Sequence, residues 1–79
     1  MNYEDGERVM VGDRVRLWAG CFGVVVCSID DDEYTADYRR EDWSYLRSGV
    51  LVNSEQAGLI HYLEPESTFE LVERARASR

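Results

Sequence analysis

Gly12-Asp13-Arg14-Val15-Arg16-Leu17-Trp18-Ala19-Gly20-Cys21-Phe22-Gly23-Val24-Val25-Val26 is the stretch on which the fold turns. From Asp13 to Trp18 apolar and polar residues alternate, so Val15 and Leu17 point to one side and Arg14, Arg16 and Trp18 to the other. Ala19-Gly20 supplies the backbone freedom of a tight reversal. The next strand, about Phe22 to Ile29, is apolar on both sides, as expected where one face packs inward and the other is covered. Gly23 within it predicts a bulge or sharp bend, the device by which a short strand serves two walls of a small barrel. The expected class is therefore mainly β, a strongly bent five-stranded barrel in one domain, since 79 residues leave room for a single modest core.

Outward from this stretch, residues 1 to 8 are polar and are expected to stay loosely ordered, as is the tail from 74 to 79. Cys21 and Cys27 lie six apart on the second strand, which predicts a shared face and too long a separation for a disulfide. With no CxxC or Cys/His spacing they read as small buried hydrophobes of a reducing compartment, and no metal site is expected. After the acidic run Asp30-Asp31-Asp32-Glu33, residues 34 to 46 read as a helical insertion between strands two and three. Asp37 is its candidate N-cap, Glu41 and Asp42 sit at its positive end, and Gly49 lies past its stop. Such a helix is too short to stand alone, so Trp43 and Leu46 must dock on the sheet. Val50–Val52 and Leu59–Tyr62 flank a turn-rich loop and form a hairpin. Pro65-Glu66-Ser67 predicts a short helical turn before a closing strand through about Val72, and closure would leave no exposed edge.

Gly12-Asp13-x-Val15-x-Leu17-x-x-Gly20 followed by Gly23-Val24-Val25 resembles the opening of KOW and other SH3-like barrels. The KOW resemblance implies RNA or ribosomal partners. Gly12-Asp13-Arg14-Val15-Arg16 is also similar to the first strand of the plasmid type II dihydrofolate reductases, small barrels that assemble as tetramers around a pore. That resemblance implies a homo-oligomer whose pore is built from Gly58-Leu59-Ile60-His61-Tyr62. Only Tyr62 matches the reductase pore run in kind, Ile60 stands where those enzymes carry glutamine, and the chain has no lysine.

Sixteen acidic residues against nine arginines give a net charge of −7, a field that opposes attachment to phosphate backbones and anionic lipid. The N-terminus has no apolar leader and no apolar run is long enough to cross a bilayer, so the expectation is a cytoplasmic protein of bacterial type. His61, the single histidine, has only Ile60 and Tyr62 beside it in sequence, and no catalytic pairing is legible. The acidic run lacks the alternate spacing of a calcium loop. The expected function is a non-enzymatic binding module for a basic protein partner, without cofactor. Its expected contact surface joins Arg16, Trp18, Asp30, Asp31, Asp32, Glu33, Tyr34, Tyr38 and Trp43, with Tyr45 and Tyr62 among the aromatics available to a groove. The alternatives are an oligomeric ligand-binding barrel using Ile60, His61 and Tyr62, and an RNA-binding module.

Overall fold

The computed structural model describes residues 1–4, 6–63 and 69–74. Its strands are β1 (Arg14–Trp18), β2 (Cys21–Ser28), β3 (Glu33–Tyr34), β4 (Val50–Ser54), β5 (Gly58–Tyr62) and β6 (Glu70–Glu73). Between β3 and β4 lie a one-turn helix α1 (Arg40–Trp43) and a 3₁₀ turn (Ser44–Leu46). All pairings among these strands are antiparallel, in the order β5-β4-β2-β1-β6, with β3 beside β2.

The expected barrel does not close. β5 and β6 end the order, and no ladder joins them among the described residues. The strand count rises to six through the two-residue β3, so the helix follows the third strand instead of preceding it. Its N-cap is Arg39 and not Asp37, without a side-chain bond, while Glu41 and Asp42 do occupy the first turn. The hairpin is as expected, β4 and β5 pairing from Val50↔Tyr62 to Ser54↔Gly58. The final strand is present as β6, and the turn expected at 65–67 lies outside the described residues.

Val15 and Leu17 of β1, Val25 of β2, Val50 and Val52 of β4 and Tyr62 of β5 form the main core. One bulge changes the expected facing of β2. Val25 pairs with Val52 but Cys27 pairs with Leu51, so Val26 is the extra residue on β2. A single added residue reverses the side to which later side chains point. Cys21 therefore enters the main core, whereas Cys27 joins Leu51 and Ile29 in a second cluster. Both thiols are free and buried, but they do not share a face. Gly23 is not the bulge; a Cβ there would stand 2.8 Å from both the Asn53 carbonyl oxygen and Val52 Cγ1. Its role is close approach of β4 to β2.

The opening segment is also drawn into the fold. Tyr3 is buried, stacks on Phe69 with ring centroids 5.5 Å apart, and donates its hydroxyl to Asp13 Oδ2 at 2.7 Å. Asp13, fully buried at the entry to β1, also accepts from the Met10 amide at 2.9 Å and from Arg74 Nε at 3.2 Å. Burial first, then the bond to the Asp13 carboxylate, push the Tyr3 phenol far above its ordinary range, so it stays a donor. Of the tail, Arg74 is held by this network, and 75–79 lie outside the described residues.

Candidate protein-contact surface

The acidic loop leaves β2 at Ser28 and turns with the Asp32 amide on the Ile29 carbonyl at 3.2 Å. Asp30 Oδ1 accepts from the Gly49 amide at 3.0 Å, and its Oδ2 pairs with the N-terminal ammonium at 3.2 Å. Asp31 pairs with Arg8 at 3.2 Å, Asp32 pairs with Arg40, and Glu33 stands exposed on β3. Three of the four carboxylates are thus committed to separate cations of the chain itself. Among the described residues no group of three or more His, Cys, Asp or Glu converges as a metal site would require.

Partial desolvation pulls the Asp30 carboxyl upward, but the Gly49 amide, the N-terminal ammonium and the field of His61 outweigh it, and the net displacement is downward. A carboxyl depressed in the folded state adds stability that is complete above its unfolded value and is lost as pH falls through the folded one. Asp30→Asn should lower stability at neutral pH and flatten the acid limb of a stability-against-pH curve measured by denaturant titration. An acid limb identical to that of the unmodified chain would rule out this linkage.

Beyond the loop, the chain covers the outer side of β2 and β4. Thr35 Oγ1 donates to the Val26 carbonyl at 2.9 Å, and the Cys27 thiol donates to the Tyr38 carbonyl at 3.3 Å. Burial raises the Cys27 thiol above its ordinary value, which keeps it in the thiol form. Tyr34, Tyr38, Trp43 and Leu46 pack half-buried against the cluster of Cys27, Ile29 and Leu51. Trp43 and Leu46 therefore dock as a helix of this length requires, and they cover the second cluster. The aromatic row continues outward: Tyr38 lies 6.2 Å from Trp43, and Trp43 stacks on Tyr45 at 6.4 Å and 24°. Tyr45 is 70% exposed, the most solvent-facing of the large apolar side chains on the described residues.

Trp18, 39% exposed, belongs elsewhere. It sits at the β1–β2 turn, where Gln56 Nε2 of the β4–β5 turn donates to the Gly20 carbonyl at 2.9 Å. The acidic loop leaves the other end of β2, about 20 Å away along the strand. The expected single surface is therefore divided in two. Arg14 and Arg16 are half-buried and engaged, Arg14 over the Phe22 ring at 5.1 Å and with Glu55 at 3.4 Å, Arg16 with Glu70 at 2.8 Å.

Ile60 and Tyr62 face the chain's own core, Tyr62 lying 5.1 Å from Phe69. They do not line an outer wall from which symmetry would build a pore. His61 faces the other way, with Nε2 2.8 Å from the Ser48 carbonyl oxygen. The residues gathered at one place are thus Asp30 to Tyr34, Tyr38, Trp43 and Tyr45. Tyr45 rises in importance because the 3₁₀ turn after α1 keeps it beside Trp43, which spacing along a regular helix would not do.

No protein-family model, curated protein or solved structure matches this chain. The site must be judged on its own chemistry. No helix among the described residues is long and apolar enough to cross a membrane.

Proposed function

We propose that this chain is a small SH3-like binding module that engages a basic segment of another protein through the insertion between β3 and β4. Supporting the fold assignment are the strand order and the use of one bent strand, β2, against both β1 and β4. The observation that carries the function is the exposed stack of Tyr45 on Trp43. A tyrosine so exposed adds little to folding, while an aromatic pair with a fixed base is a low-entropy anchor for a partner.

Its surroundings define the partner. From Asp30 to Arg47 the chain carries seven carboxylates against three arginines, more than half of the net charge of −7. Arg39 and Arg40 are taken up by Asp42, Glu41 and Asp32. An arginine from a partner would stack on the tyrosine face and meet carboxylates at its rim, the arrangement that cation–π attraction and charge steering reward. The same field disfavours nucleic acid.

Binding of an arginine-rich peptide, followed by Trp43 and Trp18 fluorescence, should weaken as salt rises. Tyr45→Ala should reduce affinity roughly tenfold, a loss of about 1–2 kcal/mol, with the thermal midpoint unchanged. Equal affinity of the variant and the unmodified chain would remove the stack from the site.

A further inference from the structure

Ion pairing within the chain leaves three charges over around the aromatic stack. From Asp30 to Asp42, five of the seven carboxylates meet a cation of the chain itself. Asp30 has the N-terminal ammonium, Asp31 has Arg8, Asp32 has Arg40, and Glu41 and Asp42 share Arg39. Among the described residues Glu33 and Asp37 stand exposed without such a partner. Arg47 is exposed as well, and of the arginines among the described residues it alone pairs with no carboxylate. Its backbone is strained besides. Arg47 closes the 3₁₀ turn at φ +74° and ψ −35°, with its amide on the Ser44 carbonyl at 3.0 Å. A side chain is disfavoured in that region, where glycine is at ease, and no ion pair or hydrogen bond of the guanidinium within the chain offsets the strain.

Arg47 follows Tyr45 by two residues, at most about 7 Å along the backbone and inside the screening length of roughly 10 Å in ordinary salt. An arginine laid on the Tyr45 ring therefore meets a second positive charge, and like charges brought together at an interface weaken it. A carboxylate carried beside that arginine removes the conflict, because it can meet both guanidinium groups at once. We infer, on the reading that Tyr45 receives a partner's arginine, that Arg47 is a specificity residue that takes a carboxylate of the same segment. The partner is then a segment of mixed sign, an arginine for the stack with Asp or Glu close to it, and not an unbroken basic run. Glu33 and Asp37, next to Tyr34 and Tyr38 in the chain, are left for its further basic residues. The strain at Arg47 fits this assignment, since it keeps a free cation where a glycine would be the more stable choice.

Calorimetric titration of the intact chain with short Gly/Ser peptides tests the inference. Each peptide carries two arginines, with a glutamate placed one, two or three residues from one of them, and its control has glutamine in place of the glutamate. The best glutamate peptide should bind about fivefold more tightly than its control. Arg47→Gly should erase that preference while raising the thermal midpoint by about 2–6 °C, because it relieves the backbone. A fall in the midpoint would instead make Arg47 a structural residue and overturn the assignment. Tyr45→Ala should weaken glutamate and glutamine peptides alike. If every glutamate peptide matched its control on the unmodified chain, or if Arg47→Gly kept the preference, the inference would be overturned while the aromatic site stood. Unchanged binding by Tyr45→Ala, or no binding of any peptide, would overturn the reading of the site and this inference with it.

Discussion

Replacing Asp13 by alanine should cost about 3 kcal/mol of folding stability and lower the thermal midpoint by roughly 12–24 °C. The carboxylate is fully buried and holds three partners from three parts of the chain. Without it the Tyr3 hydroxyl and the Met10 amide lose their acceptor inside the protein, and each such group costs about 1–3 kcal/mol. Arg74 would keep Glu7 and the Arg8 carbonyl, so the cation itself is not stranded. Tyr3→Phe is the informative comparison, because it removes one hydrogen bond and leaves the Asp13 charge with Met10 and Arg74; about 1 kcal/mol is expected. Chemical denaturation of both variants decides the matter. If Asp13→Ala proved no worse than Tyr3→Phe, the network would be ornament rather than the tie between the opening segment and the tail. A domain of this size has only a few kcal/mol to lose, so the stronger variant should populate unfolded chain near body temperature.

Asp13 also marks where sequence reasoning stops. Gly12-Asp13 and the alternation after it were enough to place β1, its inward Val15 and Leu17, and the turn at Gly20, because strand periodicity and turn chemistry are local. Two of the aspartate's side-chain partners, Tyr3 and Arg74, stand 10 and 61 residues away, and no local pattern reports them. Tyr3 was illegible for the same reason: one aromatic in a polar segment shows its burial only once Asp13 and Phe69 are in place. Cys27 failed differently. Alternation counts residues, and the extra Val26 shifts the count by one, so everything beyond it faces the other way. Edge closure depends on pairing between strands far apart in sequence, and β5 and β6 do not make it. For the candidate surface, the aromatic and acidic residue types were plain and their neighbourhood was not. The separation of Trp18 from the acidic loop follows from register alone, since one precedes the turn into β2 and the other leaves its far end. That Arg8 and Arg40 would take up Asp31 and Asp32 required the folded chain.

Gly49→Ala should be severely damaging for a single added methyl, costing more than about 3 kcal/mol and abolishing cooperative thermal unfolding in a domain this small. Two independent penalties meet there. The backbone sits at φ +90°, a region in which a side chain on an L-residue is strained by about 1–3 kcal/mol. The added Cβ would also fall well inside van der Waals contact distance of the Tyr62 carbonyl oxygen, with His61 Nε2 only 3.0 Å away. Neither neighbour can step aside, since Tyr62 is paired with Val50 in the ladder and His61 is held at Ser48. Gly58→Ala separates the two penalties. Gly58 lies at φ +73° with open space where its Cβ would go, so it carries the backbone strain alone and should lose only about 1–2 kcal/mol. If thermal melts showed equal losses, the steric half of the argument would fail. The clash matters beyond stability because Gly49 fastens the insertion to the sheet. Its carbonyl accepts from the Ile29 amide at 2.9 Å and the Asp30 amide at 3.3 Å, and its own amide reaches Asp30 Oδ1. A chain that survived the change would hold the acidic loop less firmly, and should lose affinity for the basic peptide along with its stability.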